Sequence, residues 1–388
     1  MAYYSIFPEK DSTIYSHPNR VGLNTGRDEI LELLEEKDSG KEVYYPSRFL
    51  IKFKNTEIKD VIENKLTGVA RAVKTGNCQV NLEVFASEHK SLHSEHIVQA
   101  YAISQSWDEG TGRFKNNPTS SNGVTWEMRT DTGSSPRAIW TTSSFASNTT
   151  GSCCDFMPIS GGGTWWTGTN FVAETSFSNA DNLDLDINVT NLIQYFSASY
   201  YQGATYPTGI ENEGFIIKKP LATECDASAS FGELQYYSVD THTIYPPKLT
   251  FKWDDSSYSI GSGNVLSSSL FLSLNNNKDI FQRKSKQRFR LTTRKRFPDR
   301  AFVTSSNYLD IQYLPTSSYY SLRDATTEEI IIPFDTSYTK LSADGEGMYF
   351  DLWMEGLQPE RYYKLQFRID SNEGINIYDE DYYFKVVR

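Results

Sequence analysis

The chain has 388 residues, a 14% aromatic share with 25 Tyr and 22 Phe, 22% charged residues and a formal net charge of −11. That length suggests two or three domains, the aromatics suit the pleated surface of strands, and the negative charge excludes wrapping of nucleic acid except at a local basic patch. No run of about 18 apolar residues is present, so no membrane span is expected, and the opening MAYYSIFPEKDS lacks the basic and apolar regions of a signal peptide.

The stretch Lys10–Phe53 predicts three strands, at Thr13–Ser16, Glu29–Leu34 and Arg48–Phe53. Turn signals separate them at His17-Pro18-Asn19, Asn24-Thr25-Gly26 and Asp38-Ser39-Gly40. Glu29–Leu34 is apolar on both faces, which places it centrally in a packed sheet. Asn55 or Thr56 can cap a short helix with Ile58, Val61 and Ile62 on one side. Gln79–Ala86 alternates cleanly and Ile97–Ile103 is a further strand; the polar Ser87–Glu95 reads as the connection between them. Ser106–Trp126 is a long loop pinned by Trp107 or Trp126. Asp131–Gly163 is rich in Ser, Thr and Gly and reads as an irregular surface excursion punctuated by Trp140, Phe145 and Phe156.

Leu183–Val189 alternates most regularly, and Thr190 then caps a helix through Phe196. Gly214–Lys218, Phe231–Tyr237 and Lys248–Trp253 supply further strands. Asp254–Gly263 combines charge, serine and glycine without apolar periodicity, so it is the predicted boundary. The division is residues 1–254, a linker at 255–263, and residues 264–388. The last part carries strand candidates at Leu270–Leu274, Arg288–Leu291, Asp310–Tyr313, Glu329–Phe334, Met348–Met354, Tyr362–Phe367 and Asp381–Val387, a segment of immunoglobulin-like size.

Chemistry-bearing residues are sparse. Cys78, Cys153, Cys154 and Cys225 form no zinc spacing, and the adjacent pair is poorly placed to bridge to itself, so all four are expected as free thiols in a reducing compartment. His89, His93 and His96 would share a face only if helical, and they interrupt two strands, so a solvated loop is expected. Asp184/Asp186 and Asp108/Glu109 are carboxylate pairs of the type a glycosidase needs across a cleft. Asp11, Asp28 and Asp186 are oxygen donors suited to calcium, without EF-hand spacing. Trp165 and Trp166 follow three glycines and could stack on a sugar ring or a partner, or pack inward. Gln282–Arg300 carries nine basic residues and one acid. Arg283, Lys284, Lys286, Arg288, Arg290, Arg294, Lys295 and Arg296 are candidates for docking an acidic subunit, an anionic polysaccharide or nucleic acid; the alternative is a solvated strand face, or an edge guarded by charge. No nucleophile–base motif is present, so a non-enzymatic protein with no cofactor is expected.

Residues 10–254 resemble a DNRLRE-type, carbohydrate-binding-module-96-like domain. The resemblance rests on D-x-T-I with N-T-G (Asp11, Thr13, Ile14, Asn24–Gly26), Ser47–Phe53, Ser106–Thr111, Gly123–Trp126, Asp186–Ile193, Gly214–Lys218 and Pro246–Phe251, in that order. It implies an N-terminal jelly-roll-like β-sandwich. Residues 264–388 resemble a fibronectin-III or immunoglobulin-like module, because Leu357-Gln358-Pro359-Glu360-Arg361-Tyr362-Tyr363 matches the Leu-x-Pro-x-x-x-Tyr corner; Tyr363 is the implied corner residue. The whole arrangement is similar to virion structural proteins of T4-like myophages of marine cyanobacteria. That resemblance implies a particle component at neck, tail, baseplate or head, and the expected role is an all-β, non-enzymatic adaptor, decoration or fibre component of the tail or neck. It would be assembled in the host bacterial cytoplasm, with other virion proteins as partners and as a homo-oligomer in the particle. The alternatives are a tail protein binding host surface polysaccharide and a head decoration protein. No nucleic acid or membrane partner is implied.

Overall fold

The structure is a computed structural model that describes residues 2–37, 44–74, 76–92, 94–114, 122–131, 137–140, 146–147, 161–198, 209–226, 230–260, 264–266, 270–297, 311–371 and 374–388. The fold is all-β, with several antiparallel sheets and few helices. It divides into two compact units. One comprises Ile6–Lys65 and Ala72–Thr250; the other comprises Met1–Ser5, Leu66–Arg71 and Phe251–Arg388. The boundary between Thr250 and Phe251 lies within the strand Lys248–Trp253, whose apolar residues Leu249, Phe251 and Trp253 are all buried.

The larger unit is built on one broad sheet. Its strands run in the order Val172–Ser178, Glu95–Ala102, Phe215–Lys218, Tyr44–Phe53, Ile30–Lys37, Glu233–Tyr237, Ala86–Lys90, and Pro8–Tyr15 also pairs with Tyr44–Phe53. Tyr44–Phe53 is central because its residues are apolar on both faces: Phe49, Leu50, Ile51 and Phe53 are all fully buried. Ile30–Lys37 is interior as predicted, paired to Tyr44–Phe53 on one side and Glu233–Tyr237 on the other. Cys78–Val84 pairs antiparallel with Leu185–Asn188, and the Thr190 hydroxyl, which opens the helix Thr190–Ala198, accepts from the Val80 amide at 2.8 Å.

Two expectations change here. The predicted connection Ser87–Glu95 overlaps the strand Ala86–Lys90, whose polar side chains, exposed from Glu88 on, hide the pairing it makes through its backbone. Cys225 is disulfide-bonded rather than free, while Cys78 is a buried free thiol. The adjacency of Cys153 and Cys154 disfavours only a bridge between those two, and spacing along the chain is blind to long-range bridges. Cys153 and Cys154, with Phe145 and Phe156, lie outside the described residues.

The smaller unit is a two-sheet sandwich. Lys286–Lys295 pairs with Leu270–Asn275 and Gly347–Trp353 in one sheet; Arg361–Ser371 pairs with Ser318–Asp324 and Gly374–Val387 in the other. Aromatic rings join the two layers: Tyr320 stacks on Phe350 at 4.5 Å, and Phe289 meets Phe384 at 5.7 Å. Ser318–Asp324 is a deeply buried strand that the sequence pattern missed, since its Ser and Tyr residues do not alternate with polar ones.

Candidate functional site

The motif residues converge in the larger unit. Asn24 is fully buried, and its amide nitrogen donates to the Glu109 and Val124 carbonyls at 2.7 and 2.8 Å. Its side-chain oxygen accepts from the Gly112 amide at 2.8 Å. Thr25 receives the Thr13 amide at 3.0 Å and returns a hydroxyl bond to the Thr13 carbonyl at 2.9 Å. A Cβ on Gly123 would lie 2.3 Å from the Gly110 backbone, so the two loops close only around glycine. Asp11 accepts from the Val239 amide at 2.7 Å, and burial pushes its carboxyl well above the usual range. The stretches N-T-G, S-W-D-E-G-T and G-V-T-W therefore form one structural lock.

Beside it lies a buried charge cluster. Arg48 and Glu224 are fully buried and joined by two bonds, at 3.0 and 2.5 Å. Lys218 reaches the same carboxylate at 3.1 Å, and Arg48 also donates to the Gly162 carbonyl at 2.6 Å. The Arg48 guanidinium sits 4.8 Å from the Trp126 ring and 5.3 Å from Trp165. Every charge here has an opposite charge or an acceptor, as a buried cluster requires.

The larger cavity is a cleft of about 900 Å³ over the face of Ile30–Lys37 and Glu233–Tyr237. Alternation sends Ile30, Glu32, Leu34 and Glu36 into it, with Glu233 and Gln235 alongside. Gln235 bridges two carboxylates, donating to Glu32 at 3.2 Å and to Glu233 at 2.6 Å. Tyr15 donates to Glu32 at 2.5 Å. Arg20 pairs with Glu36 at 2.9 Å and stacks 4.3 Å from the Phe114 ring at the cleft wall. Burial raises the Glu32 carboxyl, and it pushes Glu35, 9% exposed, up to about 8. Glu35 accepts from the Phe231 amide at 2.9 Å through one oxygen, and its other oxygen has no hydrogen-bond partner among the described residues.

A smaller cleft of about 400 Å³ lies next to it and shares Ser230 as a wall residue. Its inner end holds Lys219, 1% exposed, bonded to the His96 ring at 2.9 Å and pushed down to about 7 by burial. His96 is thus a buried strand residue rather than part of a solvated loop; His89 is exposed on its strand, and His93 lies outside the described residues. Among the described residues no group of His, Cys, Asp and Glu is arranged to hold a metal ion. The calcium candidates are otherwise engaged: Asp28 accepts from the Phe114 amide at 2.8 Å and Asp186 accepts from the Asn81 side chain. Asp184 accepts from the Ala86 amide at 2.7 Å, and Glu109 pairs with Arg27 at 3.2 Å.

Trp165 does not present a stacking surface: it is 6% exposed and packs among Ile103, Trp126 and Ile216. Trp166 is half-buried, 6.0 Å from the Phe171 ring. The three glycines before them are buried with positive φ, and Gly161 and Gly162 press against Trp126, so they are turn and packing residues.

The basic run is likewise occupied. Lys286 and Arg288 both pair with Asp351, at 3.1 and 2.8 Å. Arg290 grips Asp344 through two bonds at 2.9 and 3.0 Å and reaches Glu346 at 2.7 Å. Arg294 covers the Phe271 ring at 4.6 Å. Phe289 and Leu291 point inward as expected; Arg290 has strand partners on both sides, while among the described residues Lys286–Phe289 pairs only with Phe350–Trp353, so Lys286 and Arg288 stand on an edge. Arg283 is half-buried, and Lys284, Lys295 and Arg296 are exposed. The Tyr363 hydroxyl donates to the Gln358 carbonyl at 2.8 Å, the bond that the corner motif implies.

No protein-family profile matches the chain, and no curated protein matches it. Two solved structures of the β-glucuronidase of Parabacteroides merdae, one with glycerol in its active site, align at 9% identity and a TM-score of 0.14. The alignments cover 96% of this chain and 35% and 36% of the enzyme, so the chain spans about a third of that protein's length. A similarity at that TM-score carries no argument about fold or activity.

Proposed function

We propose that the chain is a non-enzymatic structural protein of a bacteriophage particle, an adaptor, decoration or fibre component of the tail or neck. The carrying observation is the convergence of the motif residues. Asn24, Thr25, Gly110 and Gly123 meet in one buried lock and Arg48 is fixed in the charge cluster beside it, so the stretches that carry the resemblance serve architecture. The disulfide at Cys225 supports the reading, because disulfides persist in proteins that end up outside a reducing cytoplasm, virion surfaces included. Mechanistically, the two β-units would supply rigid surfaces, one anchored on the particle and the other facing a neighbouring subunit. Immunogold electron microscopy of intact particles tests this: label confined to the tail or neck is expected. Label on the capsid would move the protein to head decoration, and no label would overturn the reading.

A second reading, a carbohydrate-binding protein that recognises the host surface, draws support from the larger cleft. Glu32 and Glu233 offer acceptors in a position fixed by Gln235, Lys90 and Arg20 offer donors, and Phe114 adds an aromatic wall. Polyhydroxyl ligands need that mixture. Calorimetric titration with host lipopolysaccharide, repeated on Gln235→Ala, separates the readings: saturable heat lost in the variant favours sugar binding.

A further inference from the structure

We infer that the smaller unit carries a homotypic docking edge, at which Gly374–Tyr378 pairs antiparallel with the same segment of a second copy of this chain. The strand Gly374–Val387 is fourteen residues long and pairs along one side with Arg361–Ser371. On its other side the only pairing among the described residues is with Ile280–Gln282, at Lys385, Val386 and Val387. Among the described residues no strand pairs with Gly374–Tyr378 on that side; the Tyr378 ring reaches the Leu270 backbone and Tyr382 donates to the Leu272 carbonyl.

Proteins blunt such edges with charge, bulges or short strands. The middle of this strand is guarded in that way. Asp379, Glu380 and Asp381 fall where the register with Arg361–Ser371 slips, and Asp381 has a φ of 54°. Lys364 ties Asp379 and Asp381 down at 2.8 and 3.6 Å. The opposite edge of the same sheet is the three-residue strand Ile330–Ile332. Gly374–Tyr378 has none of these protections. It runs in regular register and presents Ile375 and Ile377, 62% and 59% exposed, on one face.

The sequence of that segment chooses the occupant. Ile375-Asn376-Ile377 is symmetric about Asn376, and a two-fold interface needs a patch that matches itself. Antiparallel pairing centred on Asn376 sets each Ile375 opposite the Ile377 of the second copy and the two Asn376 opposite each other. Arg368 lies beside Ile377 and Asp370 beside Ile375 in the existing register. A row across the seam therefore reads Arg368, Ile377, then Ile375 and Asp370 of the second copy. An apolar pair is thus flanked by opposite charges, and those charges already pair within each copy at 2.7 Å. A shift of one residue would set Ile against Asn. A shift of two would keep one Ile pair but set Ile375 against Asp379 in one direction and Ile377 against Glu373 in the other. Five paired residues bury less than the roughly 1,000 Å² of a stable interface, so the contact is weak in solution and gains strength where a particle holds many copies together.

Sedimentation velocity of the full chain over rising concentration tests the inference. A concentration-dependent dimer is expected, weakened about tenfold or more by Ile377→Lys. That side chain is exposed, so the variant's thermal midpoint should be unchanged. Register is tested by oxidative cross-linking: Asn376→Cys should give a covalent dimer well above the wild-type background, and Glu380→Cys should not. A wild-type chain that stays monomeric at several hundred micromolar (about the weakest contact worth assigning) would overturn the inference. So would a dimer indifferent to Ile377→Lys, or equal cross-linking at both cysteines.

Discussion

Single residues carry the sharpest expectations. Tyr363 is 2% exposed and its hydroxyl bonds the Gln358 carbonyl, so Tyr363→Phe keeps the ring and loses the bond. The expected cost is about 1–2 kcal/mol, read from urea unfolding; an unchanged midpoint would show that the corner bond is idle. Glu224 faces Arg48 and Lys218 with all three buried, so Glu224→Gln leaves two cations short of a counter-charge. A loss of about 3–5 kcal/mol is expected, or failure to fold. Glu35 gives a pH signature. Burial raises its folded pKa from 4.5 to about 8, with Glu224, Asp226 and Lys219 as its charged neighbours. The folded chain binds the proton more tightly than the unfolded chain between those values, so this group's contribution is full below 4.5 and is lost as the pH climbs through about 8. Glu35→Gln should therefore be more stable than the wild type at pH 9, with the difference vanishing at pH 4, as followed by thermal melts. The corner was legible in the sequence because Pro359 and Tyr363 are close neighbours in the chain. The cleft was not, because Glu32 and Glu233 meet only through the pairing of Ile30–Lys37 with Glu233–Tyr237.

At the scale of elements, the strand Lys286–Lys295 shows how a motif can mislead. Its basic residues stand out on an acidic chain, yet the acids that match them sit across the strand, at Asp344, Glu346 and Asp351. The Arg290 bonds hold the Asp344 carboxyl below the usual carboxylate range. The Arg290–Asp344 pair is half-buried and bidentate, so Arg290→Gln should cost about 1–2 kcal/mol and leave the affinity for an anionic polysaccharide unchanged. Strands whose faces alternate, such as Leu185–Asn188 and Lys248–Trp253, were readable from period alone. Val172–Ser178 and Ser318–Asp324 were not, because their pattern makes sense only beside the strands they pair with. The hairpin Arg361–Val387 was half legible: its buried ends alternate, while the exposed Gly374–Tyr378 carries no core-facing signal.

For the whole molecule, the all-β architecture followed from aromatic abundance, short alternating segments and turn residues, each a local property of the chain. The disulfide at Cys225 did not, since bridging depends on distance in the folded state. Its reduction by dithiothreitol should lower stability by about 2–4 kcal/mol, measured as a drop in the thermal midpoint. The central claim is a place on a particle, and quantitative mass spectrometry of purified virions, after capsids are separated from tails, tests it most directly. Recovery with the tail fraction at a fixed ratio to the other tail proteins is the predicted result. Absence from both fractions, with the protein present in the infected lysate, would contradict it.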